Sequence, residues 1–300
     1  MTDGERCGRP LSTRTEGSIA QVSELIQANC RLSTRQIAEE IGIDHMTVFR
    51  ILTEDLKKRC VCSVWVPHEL TEQQKANRVL SATSIKKKLE EMGTNASSLY
   101  AVQDETWVLH HPVGTKAENK AWIGTDEKRP RVVRPNIADK KSMLLVAFTC
   151  NRRFSVQALP QGTTVDSEAF IQFVRKTGDK WRTLRSHPIK LSEICWQMDN
   201  ARPHKSRLTT KFFTERRIQT LWQSPYSPDL NLCDRFLFDW LKRELRKEEP
   251  QAGFTNHKQV ETSALRHLRS LPETTLSREL LRLLDHCDSI IANMGDYETK

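Results

Sequence analysis

Long hydrophobic runs are missing from this 300-residue sequence. No stretch approaches the roughly 18 uncharged apolar residues that a membrane helix needs. The N-terminal residues, MTDGERCGRP, are polar and contain no apolar core of a secretory signal. The hydrophobic fraction of 37%, with only 7% aromatic residues, is instead typical of a soluble globular chain. We therefore predict an intracellular protein that makes no membrane contacts.

Paired cysteines are also missing. None of the eight cysteines forms a C-x-x-C pair, and only Cys60 and Cys62 lie close together along the chain. A structural zinc site needs four ligands at workable spacing, which this pattern does not offer. We predict that the cysteines are reduced and act mostly as small buried hydrophobic residues.

Positive charge is in excess, and it is unevenly distributed. The formal net charge is +9. Residues 1–75 hold 10 Lys and Arg against 11 Asp and Glu, whereas residues 76–300 hold 37 against 27. The positive field therefore belongs to the larger C-terminal part. Such a surplus suits a domain that must hold carboxylates against the phosphates of a polyanion such as DNA.

Changes in hydrophobic periodicity divide the chain into four segments. Residues 1–16 are a polar lead-in, residues 17–59 have helical periodicity, and residues 60–97 pass from an extended piece into a charged helix. Residues 98–300 begin with strands and continue with alternating strands and helices. This order predicts an α/β domain, a mixed sheet with helices on both faces, preceded by a small all-α domain.

The α/β domain contains several segments whose apolar residues alternate or run continuously over strand lengths. The predicted strands are residues 99–110, 117–124, 131–134, 142–150, 154–162, 194–200 and 218–225. Residues 166–184 are a strongly amphipathic helix, residues 202–217 are a second helix, and a final helical region begins near Cys233.

Residues 17–59 predict three short helices. Ser33 stands three residues before Gln36, which is the spacing of a capping box. Gly42 ends that helix, and Asp44 is placed to cap the next one. Three helices with a glycine-bearing turn between the last two form a helix-turn-helix domain.

Six side chains of this domain are candidate DNA contacts: His45, Thr47, Arg50, Lys57, Lys58 and Arg59. The first three are predicted to face outward from the third helix and reach base edges, and the last three to clamp phosphate. The alternative is a three-helix packing module that touches no nucleic acid, which the near-neutral charge of the segment favours.

Three aspartates are candidate metal ligands. Asp104 lies within a strand, Asp199 ends the strand ICWQMDN directly before a helix, and Asp234 opens a helix. Carboxylates at such positions can converge at one edge of a sheet and hold two Mg²⁺ ions for phosphoryl transfer. Taken singly, Asp199 and Asp234 could be helix caps, and Asp104 could be a turn residue.

Longer motifs around these aspartates resemble the mariner family of DNA transposases, and the resemblance covers nearly the whole chain. MDNARPH (Met198–His204) is similar to the second catalytic motif of the family and YSPDLNLCD (Tyr226–Asp234) to the third. The 34 residues between Asp199 and Asp234 match the spacing of the mariner branch. DETW (Asp104–Trp107) resembles the first catalytic motif, and GDY (Gly295–Tyr297) the usual family ending.

WVPHEL resembles the linker motif of the family, which is thought to matter for communication between subunits. Its residues are Trp65, Val66, Pro67, His68, Glu69 and Leu70. The resemblance implies an RNase H-like catalytic domain that uses two Mg²⁺ or Mn²⁺ ions per active site. It also implies that Asn200, Arg202 and His204 flank the second ligand and position it or nearby DNA. The alternative role of these three is packing at a helix start.

The implied activity is cut-and-paste transfer of double-stranded DNA, without a covalent protein–DNA intermediate. A homodimer would bring together two terminal inverted repeats and insert them at TA target sites. A location in the nucleus follows from this substrate. The function that competes most strongly is that of a transposase remnant which binds DNA without cutting it. A related RNase H-like nuclease or integrase with another substrate is a third reading, which the linker motif and the 34-residue spacing oppose.

One feature departs from the family pattern. Mariner transposases carry two helix-turn-helix units joined by a basic linker containing Gly-Arg-Pro, and here that tripeptide stands at Gly8–Pro10. We therefore expect residues 1–16 to be a remnant of this linker and the first helix-turn-helix unit to be missing. A truncated gene model, a decayed genomic copy and a shorter functional product are all open explanations.

Overall fold

The computed structural model describes residues 13–62, 66–110, 128, 140–185, 188–248 and 253–298. The chain separates into two compact units, Met1–Trp65 and Val66–Lys300. Four predicted features lie outside the described residues: the strands at 117–124 and 131–134, the tripeptide Gly8–Pro10, and Trp65. Among the helices that are described, none combines the length and the apolar character needed to cross a bilayer.

The first unit consists of short helices, as its periodicity predicts. The helices are α1 (Glu16–Ala28), α2 (Thr34–Ile41) and α3 (His45–Arg50), and α3 continues into a wider helical turn over Ile51–Asp55. Their inward faces form a separate core that includes Val22, Ile37, Val48 and Ile51, all of them fully buried. The helical N-terminal domain is thus confirmed.

Side-chain caps explain where these helices begin. The Ser33 hydroxyl accepts a hydrogen bond from the Gln36 amide, and the Gln36 side chain returns one to the Ser33 amide, so the predicted capping box is present. Gly42 ends α2 in the left-handed region at φ 75°, which favours glycine. The Asp44 carboxylate accepts hydrogen bonds from the amides of Met46 and Thr47 at the start of α3.

Asp44→Ala should lower the stability of the first unit. Loss of an aspartate N-cap costs about 1 kcal/mol, because two amides at the start of α3 lose their partner. Amide hydrogen exchange of residues 45–55 in the full chain measures this local opening. Glu40→Ala, at an exposed position of α2 that caps nothing, is the control. Equal exchange in the two variants would contradict the capping role.

The second unit is built on a mixed five-stranded sheet, counted over the described residues. Its strands are β1 (Tyr100–Leu109), β2 (Lys141–Thr149), β3 (Phe154–Leu159), β4 (Cys195–Met198) and β5 (Gln219–Trp222). Their order is β3-β2-β1-β4-β5. β2 runs antiparallel to β1 and β3, whereas β4 is parallel to β1 and β5. This order and these directions are those of the predicted RNase H-like fold.

Helices cover both faces of the sheet. They are α4 (Glu72–Met92), α5 (Ala96–Leu99), α6 (Ser167–Arg182), α7 (Arg207–Glu215), α8 (Phe238–Glu248), α9 (His257–Ser270) and α10 (Glu273–Ala292). Because side chains alternate along a strand, Val102 and Val146 enter one core with α4, α8, α9 and α10. Ala101 and Leu145 enter the other core with α6 and α7. The predicted mixed sheet with helices on both faces is confirmed.

One predicted helix start was wrong, and another was confirmed. The helix after Asp199 begins at Arg207 rather than at residue 202, because Ser206 has an extended backbone and its hydroxyl accepts from the Thr209 amide. The final helical region does begin at Cys233, as a wide helical turn over Cys233–Leu237 that leads into α8, and Asp234 lies in this turn. Neither Asp199 nor Asp234 therefore begins a regular α-helix.

The cysteine prediction was partly wrong. Cys150, Cys195, Cys233 and Cys287 are buried, as small hydrophobic residues should be. Three others are exposed: Cys30, Cys60 and Cys62. The exposed ones lie in the first unit, whose core is too small to bury many side chains.

Candidate active site

The parallel pairing of β1 with β4 positions two of the aspartates. Val102 pairs with Gln197, and Asp104 and Asp199 each lie two residues beyond this pair. Neighbouring parallel strands therefore deliver both carboxylates to the same end of the sheet. Asp104 is almost completely buried at the centre of β1, whereas Asp199 is half-buried in the loop that follows β4.

Asp234 reaches the same place from the turn before α8. Its charge acts on the Asp104 carboxyl group, so the two acidic side chains are neighbours. Burial, together with the charges of Asp234, Glu105 and Asp199, raises the pKa of Asp104 well above its usual range. Burial also raises the pKa of Asp234, and the Asp199 charge adds to this effect. The folded chain thus brings together three acidic groups that repel one another.

Asp199 is held by a different set of contacts. The His204 ring, 1% exposed, donates from Nδ1 to Asp199 Oδ1 at 2.7 Å and from Nε2 to Glu105 Oε1 at 3.2 Å. Burial alone would lower the pKa of His204, but these two carboxylates raise it to about 9. Burial alone would raise the pKa of Asp199, but hydrogen bonds from His204 and the Ala201 amide lower it. A charged imidazolium therefore fixes the Asp199 carboxylate.

Two residues near the aspartates were missed in the sequence. Asn231 is fully buried, and its Nδ2 donates to Asp104 Oδ2 at 2.8 Å. Its Oδ1 accepts from the Cys233 amide at 2.9 Å, so Asn231 joins the strand ligand to the turn that carries Asp234. Glu105 binds His204. The position of Asn231 between two leucines, in the sequence LNL, was a signal that its polar side chain makes a buried contact.

The three aspartates offer carboxylate oxygens, the hard donors that divalent ions such as Mg²⁺ prefer. Over the part of the chain that the structure describes, no three His, Cys, Asp or Glu side chains already stand in metal-ligand positions. Asp104 and Asp234 nevertheless each have a raised pKa, because both are buried and lie near other carboxylates. A bound Mg²⁺ or Mn²⁺ would be held by these hard oxygen donors and would relieve the repulsion between the carboxylates. The residues present therefore fit a divalent cation.

The other predicted flanking residues have separate positions. The Asn200 side chain donates to the backbone oxygen of Gln223, which joins the loop after β4 to the end of β5. Arg202 is exposed. Of the three predicted flanking residues, His204 is the one that bonds to a candidate ligand.

Part of the linker motif lies beside the third catalytic motif. His68 is exposed and stacks on Tyr226 with 4.1 Å between ring centroids and an interplanar angle of 19°. Val66, Pro67 and Glu69 are exposed as well.

The predicted DNA contacts lie on the surface of the first unit. His45, Arg50 and the three cations Lys57–Arg59 are exposed, as direct contacts require. Thr47 is half-buried. Phe49, also on α3, is 50% exposed.

Comparisons with known proteins show what this chain is similar to. A family model described as DDE superfamily endonuclease matches residues 104–256, about half of the chain. The human protein histone-lysine N-methyltransferase SETMAR is 26% identical over 297 residues, which cover 99% of this chain. The chain spans only 41% of the length of that human protein. The Mariner Mos1 transposase of Drosophila mauritiana is 23% identical over 285 residues, covering 93% of this chain and 78% of that protein.

Solved structures show the same fold. The mariner Mos1 paired-end complex with Mg matches with a TM-score of 0.81 at 21% identity, covering 99% of this chain and 83% of that one. The isolated catalytic domain of Mos1 mariner transposase matches with a TM-score of 0.58 at 19% identity, covering 78% of this chain and all of that one. The chain belongs to the DDE superfamily of endonucleases.

Proposed function

We propose that this chain cleaves and joins DNA strands in cut-and-paste transposition, with Asp104, Asp199 and Asp234 as its metal ligands. The observation that carries the proposal is the convergence of three acidic residues. β1 and β4 bring Asp104 and Asp199 to the same end of the sheet, and Asn231 ties Asp104 to the turn that carries Asp234. A fold gains no stability from gathering acidic groups that repel one another. Such an arrangement is therefore typical of a functional site.

The cofactor of the proposed reaction is Mg²⁺ or Mn²⁺, with two ions per active site. When bound, the ions would activate the attacking water or 3′-hydroxyl and stabilise the leaving oxygen. The solved Mos1 structures include complexes with Mg and with Mn. In this chain, Asn231 would orient the Asp104 carboxylate, and the His204 imidazolium would orient that of Asp199.

The proposed partner is double-stranded DNA. One solved Mos1 structure is a paired-end complex with the left transposon end, and another is a strand transfer complex. By analogy, the substrates here would be terminal inverted repeats and TA target sites, and a homodimer would hold two ends together. The excess positive charge of residues 76–300 supports contact with DNA phosphates. A nuclear location goes with this substrate.

The test of the proposal is cleavage of DNA that carries the terminal repeats flanking the coding sequence in its genome. The full chain with Mn²⁺ should nick or cut this DNA at the repeat ends, and a chelator should stop the reaction. Binding without cutting, in either Mg²⁺ or Mn²⁺, would contradict the enzyme and favour the second candidate function.

That second candidate is a DNA-binding protein that does not cut. The observation in its favour is that the first unit has its own core and an exposed α3, and so needs none of the aspartates to present its basic residues. In this case binding would survive replacement of Asp104 by alanine and would depend on Arg50 and the cations at 57–59.

Removing the cations Lys57–Arg59 together should weaken DNA binding by the full chain. Each lost phosphate contact reduces the slope of log K against log salt by about 0.9, so the triple alanine variant should lose about 2 to 3 in slope. Fluorescence anisotropy across a salt series measures this. The control is the triple alanine variant of Lys86–Lys88 on α4, which removes the same charge elsewhere. Equal slopes in both variants would exclude the 57–59 cluster as a phosphate clamp.

A further inference from the structure

Two family motifs, the linker motif and GDY, have no role in the site described so far. Both reach the same short segment, residues 226–231, which lies just before Asp234 and is called the 226–231 loop here. Tyr226 begins this loop at φ 56°, in the left-handed region that non-glycine residues rarely adopt. Strained backbone of this kind persists only where surrounding contacts hold it.

The main contact comes from Arg78 on α4, whose side chain is 0% exposed. Its Nη1 and Nη2 donate to the two oxygens of Asp229, each at 2.8 Å, in the paired geometry that suits a guanidinium. Nη1 also donates to Ser227 Oγ at 3.0 Å. One buried cation therefore fixes the middle of the 226–231 loop at two residues.

The C-terminal segment closes over the same arginine. Arg78 Nε donates to the Gly295 backbone oxygen at 2.8 Å, and the guanidinium lies 4.4 Å from the centroid of the Tyr297 ring. The Tyr297 hydroxyl donates to the backbone oxygen of Tyr226 at 2.5 Å. A Cβ on Gly295 would come within 2.1 Å of the Lys75 backbone oxygen, and its φ is 87°, so the position requires glycine.

α10 provides one more contact, because His286 Nε2 donates to Asp229 Oδ2 at 2.8 Å. The set formed by Arg78, Asp229, His286, Gly295 and Tyr297 is called the Arg78 cluster here. It joins α4, the 226–231 loop, α10 and the segment after α10.

The loop connects this cluster to the candidate ligands. Asn231 is two residues beyond Asp229 and donates to Asp104. Between them, the Leu230 backbone oxygen accepts from Gln197 Nε2 at 2.9 Å, which ties the loop to β4 two residues before Asp199. A shift of Asp229 would therefore move the amide that holds the Asp104 carboxylate.

We infer that Arg78 is a positioning residue for catalysis: through Asp229 it sets the 226–231 loop so that Asn231 aligns Asp104 for the divalent cation. The inference rests on the proposed function, since it concerns the same carboxylates. It gives GDY a role, because the segment after α10 completes the site that holds Arg78.

A purely stabilising role is the competing explanation, since removing one partner of a buried ion pair is strongly destabilising. Arg78→Ala could simply unfold the chain. Arg78→Lys is the better variant, because it keeps the positive charge but loses the paired donors to Asp229. Asn231→Ala removes the last member of the chain of contacts. Arg282→Lys, at an exposed arginine that pairs with the buried Glu279 on α10, is the control.

The experiment measures Mn²⁺ affinity of the full chain by calorimetry, and cleavage of terminal-repeat DNA, for both single variants and the double variant. Support of a carboxylate ligand by an outer contact typically changes metal affinity by about 10- to 100-fold. We expect each single variant to weaken Mn²⁺ binding by at least about tenfold and the double variant to be no weaker than the worse single variant. DNA affinity should not change.

Each outcome separates the hypotheses. Mn²⁺ affinity of Arg78→Lys equal to that of wild type and Arg282→Lys would overturn the inference and leave the proposed function intact. Losses that multiply in the double variant would also overturn it, because Arg78 would then act independently of Asn231. Wild-type protein that neither binds Mn²⁺ nor cuts DNA would overturn the proposed function, and with it the inference. Melting temperatures of all variants identify any loss due to unfolding.

Discussion

Asp234→Asn is expected to abolish strand cleavage while leaving DNA binding unchanged. The substitution keeps the size of the side chain but removes one charged oxygen donor from the proposed metal site. Metal ions contribute several kcal/mol of transition-state stabilisation in phosphoryl transfer, so the rate should fall by at least about a thousandfold. Cleavage of labelled terminal-repeat DNA under single-turnover conditions measures the effect.

Stability should respond differently from activity in this variant. Asp234 faces the Asp104 carboxyl and the charge of Asp199, so replacing it with a neutral amide removes repulsion. The free energy of unfolding without metal is therefore expected to stay level or rise. Asp239→Asn, five residues further along at an exposed ion pair with Arg243, is the matched control and should cleave normally. Cleavage by Asp234→Asn within tenfold of that control would remove Asp234 from the proposed ligand set.

His204→Ala is expected to weaken both metal binding and cleavage. The buried ring bonds to Asp199 and Glu105 at once, and loss of such an outer contact typically costs about 10- to 100-fold in metal affinity or activity. The loss should exceed that of His267→Ala, in which a histidine bound to Glu248 on another part of the unit is removed. Mn²⁺ titration and cleavage rates measure the comparison.

The same variant should also be less stable, since Glu105 loses a buried partner. A hydrogen bond to a charged group contributes about 1.5 to 3 kcal/mol. His204→Gln restores one hydrogen bond but no charge, and should recover part of the stability with little of the metal affinity. Full recovery of metal affinity by glutamine would show that the positive charge of His204 is not needed.

Local features of both units could be read directly from the sequence. The Ser33–Gln36 capping box and Gly42 at the end of α2 depend on neighbouring residues, and all are present as predicted. Apolar residues that alternate or run over strand lengths likewise predicted β1 and β2. Most residues of these strands are buried, because helices pack against both faces of the sheet. The predicted start of α7 was too early. The polar sequence before Ser206 also looked helical, so the N-cap serine was not recognised as the beginning of the helix.

The contacts within the candidate site could not be predicted in the same way. Motif spacing pointed to Asp104, Asp199 and Asp234, but the role of Asn231 depends on a hydrogen bond between residues 127 apart. Glu105 and His204 are 99 residues apart, and their contact depends on the pairing of β1 with β4. No pattern among neighbouring residues indicates a contact between residues so far apart in the sequence.

By itself, the sequence determined the helix caps, the periods of the strands and the family motifs, because these depend on residues a few positions apart. Only the tertiary structure decided that Arg78 lies beneath the 226–231 loop, 151 residues from Asp229, and that Gly295 must pass against Lys75. The physical reason is that a buried charge is tolerated only where the whole fold supplies its partners, and those partners come from distant parts of the chain.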